Sequence, residues 1–230
     1  GMATKLRLTQ AERRKQSEGK MLEAAAELVA ARGSTGTTLA EIGSRAGYSY
    51  GLVSQRFGSK SGLMRALIRH IEDFSAREFE PIVQEHRGVE ALSLIVRRYF
   101  QLASGTGQEA GMIRLLYVLM AEALGPARDL QPEIARLNRH FRKMIEKLIR
   151  DAIKDGTVDP SIHAAERAAI IAGSVRGIAM QWILEVDDFP LQSVVEEMVR
   201  TVREGLAKPP TPVPASKRAA SPQLPRRANS

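Results

Sequence analysis

A chain of 230 residues, 43% hydrophobic and without cysteine, can bury one large core or two smaller ones, and it excludes disulfides and cysteine-ligated zinc. Its net charge of +8 gathers at the two ends: residues 1–60 carry 10 Lys and Arg against 5 Asp and Glu, and residues 208–230 carry 5 against none. That placement is the footprint of a polyanion binder. No run approaches the roughly 18 apolar residues of a membrane span, and no signal-peptide core is present, so a cytoplasmic setting is expected.

The first helix opens at Thr9, whose spacing to Glu12 is that of a capping box, or frays up to about Ser17. Leu22, Ala25, Leu28 and Val29 give its inward stripe, and Gly33 ends it. Thr38 and Glu41 repeat the capping-box spacing, and Leu39, Ile42 and Ala46 fall on one helical face. Gly47-Tyr48-Ser49 interrupts that period; Gly47 suits the left-handed position that closes a helix, and Ser49 can cap the next. Leu52, Val53 and Phe57 then resume it. Gly43 is expected to let the first two helices approach closely, at about 1 kcal/mol of helix propensity relative to Ala. Two short helices around such a turn have the form of a helix-turn-helix, with the second offered to a DNA major groove. Neither is long enough to stand alone.

Gly58-Ser59-Lys60 breaks the chain again, and Leu63, Met64, Leu67, Ile68 and Ile71 predict a long helix to about Phe79, before Pro81. Helical periods follow to residue 206. One is centred on Leu92–Leu102, one on Met112–Met120, and a long basic one on Ile134–Leu148. Residues 163–185 are apolar almost all round, which predicts burial on several sides, and a last helix opens at Pro190. Six of the chain's 11 prolines lie beyond Leu206 among Ser, Ala and basic pairs, a composition expected to be disordered. His70, His86, His140 and His163 form no metal spacing, and no glycine-rich loop follows a strand. Neither a catalytic set, a metal nor a cofactor is expected.

Three blocks, Thr37-Thr38-Leu39-Ala40-Glu41-Ile42, Arg45-Ala46-Gly47-Tyr48-Ser49 and Phe57-Gly58-Ser59-Lys60, resemble in residues and spacing the signature of the TetR family of one-component transcriptional regulators. More weakly, IAGSVRGIAMQWIL (171–184) is similar to the penultimate helix of that family's C-terminal domain. The resemblance covers roughly residues 10–206 and implies an all-α homodimer that binds a palindromic operator and releases it when a small molecule enters the C-terminal domain. Carried over by position, it places the recognition helix at Tyr50–Arg56, with Tyr50, Gly51 and Leu52 facing bases, Ser49 near the backbone, and Thr38 and Lys60 on phosphates. The chain departs from the family at Tyr50, usually Lys or a small polar residue, at Ser54, usually a phosphate-binding Tyr, and at Arg56, usually His or Tyr. Gln55 can read an adenine edge and Arg56 a guanine.

The same resemblance implies an effector pocket among the larger side chains Phe74, Phe100, Met112, Leu116, Tyr117, Met120, Phe141 and Trp182. Its polar handles are expected among Arg97, Tyr117, Arg176 and Gln181. Gly173, Gly177, Met180 and Leu184 share one helical face. With Val195, Met198 and Val202 they suggest a four-helix dimer interface, while intramolecular packing fits the spacing equally well. The reading is therefore an all-α protein. Residues 1–58 hold an arm and a three-helix DNA-binding domain, 59–206 a helical ligand-binding and dimerisation domain, and 207–230 a basic tail. Its partners are operator DNA, a small mostly apolar effector and a second copy of itself, with no membrane, and its function is that of a ligand-responsive repressor. The alternative is an all-α small-molecule binding protein that no longer reads DNA.

Overall fold

The Thr9 amide donates to Glu12 Oε2 at 2.6 Å, and the Glu12 amide donates to Thr9 Oγ1 at 3.2 Å. The capping box is thus complete, and α1 runs Gln10–Arg32 in the computed structural model, which describes residues 8–209. The basic residues before Leu8 and the Pro-rich tail from residue 210 onward lie outside the described residues.

A second capping box starts α2, Leu39–Ala46: the Thr38 amide donates to Glu41 at 2.9 Å, and the Glu41 amide donates back at 3.2 Å. That bond from the Thr38 backbone is the main reason the Glu41 carboxyl sits below its ordinary range. Gly47 closes the helix at φ 82°, a left-handed position that Cβ disfavours. Ser49 Oγ accepts the Leu52 amide at 3.2 Å and caps α3, Tyr50–Phe57. Gly43 serves a different neighbour from the one expected. A Cβ there would meet the Tyr48 carbonyl oxygen at 2.7 Å and Val53 Cγ2 at 3.2 Å, so it admits the turn and α3 rather than α1.

Ser59 caps α4, Lys60–Glu85, which runs on past its expected end through Pro81. Pro81 forfeits one ladder hydrogen bond. It lies on the exposed side, while Phe79 before it is buried and Ile82 and Val83 after it pack on the core. Burial on the inner face therefore carries the helix four residues past Pro81, to Glu85. Then come α5 (Gly88–Ser104), α6 (Gln108–Ala123), a 3₁₀ turn (Arg128–Leu130), α7 (Gln131–Lys154), α8 (Ala164–Leu184) and α9 (Leu191–Leu206). The described residues form nine α-helices and no strand.

One buried cluster passes from Met21, Val29, Ile42 and Val53 through Leu67 to Leu115, Leu119, Ile145 and Val175. The core is thus continuous across the boundary expected at residue 58. Polar ties reinforce the junction. Ala30 O accepts from Arg114 Nε at 3.1 Å, and the Ser34 amide donates to Glu122 Oε1 at 2.7 Å. At the start of α4, Ser61 Oγ donates to Asp129 at 2.7 Å and Arg65 Nε to Glu133 at 3.0 Å.

The expected burial of the 163–185 helix on several sides does not hold in the single chain. Ala168, Ala172, Val175 and Ala179 face inward, while Ile170, Met180 and Leu184 are 63%, 40% and 74% exposed.

Candidate nucleic-acid interface and effector cavity

The helix-turn-helix packs through Ile42 and Val53, 1% and 0% exposed, onto α1 and the first turns of α4. This leaves the outer face of α3 in solvent. Tyr50 is 58% exposed, Gly51 and Gln55 are exposed, and Leu52 and Ser54 are half-buried. Thr38 and Ser49 are exposed N-caps, and Lys60 is the first residue of α4. Three helix N-termini, those of α2, α3 and α4, therefore carry the predicted polar contacts, and helix N-termini attract phosphate oxygens.

Arg56 is the exception. Its Nη1 donates to the Arg14 carbonyl at 3.0 Å and lies 3.7 Å from Glu18, and its side chain is only 12% exposed. An Arg at the end of an eight-residue helix reaches α1 more easily than a groove floor. In the chain without DNA, Arg56 thus ties α3 to α1 rather than lying on the outer face with Tyr50 and Gln55.

A small cavity of ≈30 Å³ lies among α4, α5, α6, α7 and α8. Phe74, Met112, Leu116 and Phe141 line it as expected, but Phe100, Tyr117, Met120 and Trp182 do not. Phe100 points instead at the edge of Tyr99, their ring centroids 5.5 Å apart. The lining that sequence reasoning missed is chiefly Ile71, Phe79, Tyr99 and Leu137. Of the expected polar handles, Arg97 pairs with Glu196 on α9 and Gln181 is exposed, so neither reaches the cavity.

Arg176 does reach it. Its guanidinium carbon stands 4.8 Å from the Phe141 ring centroid and 5.7 Å from that of Tyr99. Arg176 Nη1 donates to Tyr99 Oη at 3.0 Å, the two tyrosine hydroxyls are 2.9 Å apart, and Tyr117 Oη donates to the Arg176 carbonyl at 3.1 Å. The only direction in which each hydroxyl donates once runs Arg176 to Tyr99 to Tyr117 and back to Arg176. Burial, then the neighbouring Tyr99, push the Tyr117 phenol far above its ordinary value, so it stays a neutral donor.

Outside the cavity, a groove of ≈620 Å³ runs between α1, α4 and α6, and it shares Phe74 and Met112 with the cavity. On α8, Gly173 and Gly177 face open space: a Cβ at either would meet no atom within 4 Å. The alternative of close intramolecular packing at these glycines is thus removed. Val195, Met198 and Val202 are 7–8% exposed and already buried against the chain's own core, with Met198 and Val202 flooring a groove between α8 and α9. Among the described residues no single helix is long and apolar enough to cross a membrane.

Residues 21–67, which hold the second half of α1 through the first turns of α4, match the family described as bacterial regulatory proteins, tetR family. The chain is 25% identical over 166 residues to the HTH-type transcriptional regulator BetI of Paraburkholderia phymatum, an alignment that spans 71% of this chain and 79% of that protein. Its fold is that of the regulator FadR of Bacillus subtilis, solved with stearoyl-CoA, at a TM-score of 0.69 and 18% identity over 82% of this chain and 98% of FadR. It is also that of SmeT of Stenotrophomonas maltophilia, solved with triclosan, at a TM-score of 0.71 and 19% identity over 92% of this chain and all of SmeT.

Proposed function

We propose that this chain is a helix-turn-helix transcriptional regulator of the TetR family, supported by the match over residues 21–67 and the likeness to BetI, and that it acts as a homodimeric repressor, released from a palindromic operator by a small effector. The observation that carries the proposal is the outer face of α3: doubly capped at its turn, held on its inner side by Val53, and open to solvent at Tyr50, Gly51 and Gln55. Tyr50, Gly51 and Leu52 would meet base edges, Gln55 can pair with adenine, and Thr38, Ser49, Ser54 and Lys60 would hold phosphates. Residues 1–58 form the reading unit and 59–206 the effector and dimerisation unit. Two-fold symmetry would bring two α3 helices into successive major grooves about 34–36 Å apart. The apolar face of α8 supports dimerisation, with Gly173, Gly177, Met180 and Leu184 against the same face of a second copy. The cavity lined by Phe74, Met112, Leu116 and Phe141 supports effector binding. SmeT, with the same fold, is a repressor of a multidrug efflux pump and binds triclosan. The setting is the cytoplasm, where operator DNA is accessible.

Selection of bound duplexes from a random pool tests the reading. A two-fold symmetric consensus with half-sites one helical turn apart is the expected result. Enrichment of no sequence would favour the alternative, a helical small-molecule binding protein that no longer reads DNA.

A further inference from the structure

We infer that the effector is an organic anion, an apolar body carrying a carboxylate or a similar group that Arg176 recognises; this rests on the reading of the ≈30 Å³ cavity as the effector site. Among the described residues no carboxylate lies within ion-pair distance of Arg176, although Arg65, Arg97, Arg98, Arg136 and Arg150 each have one. Half-buried Arg176 thus lines the cavity with no carboxylate in ion-pair distance, which leaves its charge available to a ligand.

The geometry explains how it is kept ready. The guanidinium carbon of Arg176 lies within cation–π distance of both the Phe141 and the Tyr99 ring, which holds the group at the cavity wall. Nη1 is spent on Tyr99, whereas Nε and Nη2 have no hydrogen-bond acceptor among the described residues. Those two nitrogens form the fork that takes a carboxylate bidentately. The tyrosines cannot serve a ligand instead. Each hydroxyl proton is already committed within the ring that closes on the Arg176 carbonyl. The free donors of Arg176 carry positive charge, which favours an anion over a neutral acceptor and repels a cation.

Size sets the second half of the inference. About 30 Å³ is the space of one water, far below the several hundred Å³ of a drug-sized pocket. Phe74 and Met112 form the partition to the ≈620 Å³ groove outside. Phe74 is half-buried, and Met is the side chain that re-packs most readily. Turning these two outward joins cavity and groove. The acid head then sits at Arg176, and the apolar body runs past Phe141 and Leu116 toward α4 and α6. The carboxylates along the groove do not oppose entry of an anion. Glu72 of the cavity wall is paired with Arg136, Glu27 with Arg45, and Glu78 and Glu109 with Arg98, which leaves Glu23 facing Arg77 and His70.

The test uses benzoate, 2-naphthoate and decanoate, each beside its primary amide. Binding is measured by calorimetry on the full chain without DNA, and operator release is measured separately, in the wild type, Arg176→Met and Arg176→Lys. At least one carboxylate should bind more tightly than its amide by about tenfold or more, the scale of a charge-assisted hydrogen bond. That margin should vanish in Arg176→Met and be partly kept in Arg176→Lys. Equal binding of acid and amide, a margin that survives in Arg176→Met, or no binding by any of the three acids would overturn the assignment. The wild-type comparison stands even if a variant fails to fold. Release of operator by amides alone would sink the anion and leave the repressor reading intact. Acid binding that depends on Arg176 but never releases DNA would do the reverse.

Discussion

The exposed face of α8 makes a quantitative demand. Leu184 is 74% exposed in the single chain, so truncation to Ala removes few contacts within the subunit. If a second copy covers that face, three carbons per side chain leave a dry interface, at about 0.8 kcal/mol for each CH₂, or roughly 2 kcal/mol per copy. A two-fold interface presents the same residue twice, so Leu184→Ala should weaken the dimer by about 4 kcal/mol. At about 1.4 kcal/mol per decade this is on the order of a thousandfold in the dissociation constant. Sedimentation velocity over a concentration series would read it directly. Leu124 supplies the control: it is also 74% exposed, but at the end of α6, away from α8. Leu124→Ala should leave association unchanged, and neither variant should alter subunit stability by more than about 0.5 kcal/mol, the usual range for surface changes. A Leu184→Ala dimer that dissociates within a factor of about ten of the wild type would refute the placement of the interface on this face.

Two further outcomes follow from side chains that look inward rather than outward. Arg56→Ala should lower resistance to denaturant, because it unties α3 from Arg14 and Glu18, while the operator consensus recovered by selection stays the same; a changed base preference would restore Arg56 to the reading face. His70 is held below its ordinary pKa first by burial and then by Arg77, so the unfolded chain takes up a proton at a higher pH than the folded one. Stability should therefore fall as pH drops through about 6.5 and below. His70→Gln should flatten that slope in urea titrations at pH 7.5 and 5.5, and an unchanged slope would assign the effect elsewhere.

Much of the fold could be read locally. The capping boxes at Thr9 and Thr38, the left-handed Gly47 and the caps at Ser49 and Ser59 are each decided within four residues, and each appears where the sequence puts it. Pro81 was misjudged for a related reason. A local rule ends the helix there, yet the cost of one missing hydrogen bond is offset by apolar residues on both sides that reach the core. Side-chain direction was the harder matter. Periodicity assigned an apolar surface to the whole of 163–185 and could not say which side of it the chain would leave bare. Nor could it choose between Phe100 and Phe79 as cavity walls, since that depends on how five helices are rotated against each other. The long Arg side chains were least legible of all. Arg56, Arg97 and Arg176 each reach several ångströms across helix boundaries, and only the assembled fold shows that one braces α1, one pairs with α9 and one lies in the cavity.

The position of the cavity bears on how it can affect DNA. A ligand changes DNA affinity only by binding two arrangements of the protein unequally. Phe74 belongs to α4, whose first turn carries Lys60 beside the recognition helix, and Met112 belongs to α6, whose Arg114 and Glu122 grip the end of α1. The helices that would part to enlarge the cavity are therefore the ones that hold α1 and follow α3. A modest ligand preference, of the 1–3 kcal/mol typical of coupling between sites, is then enough to change the balance.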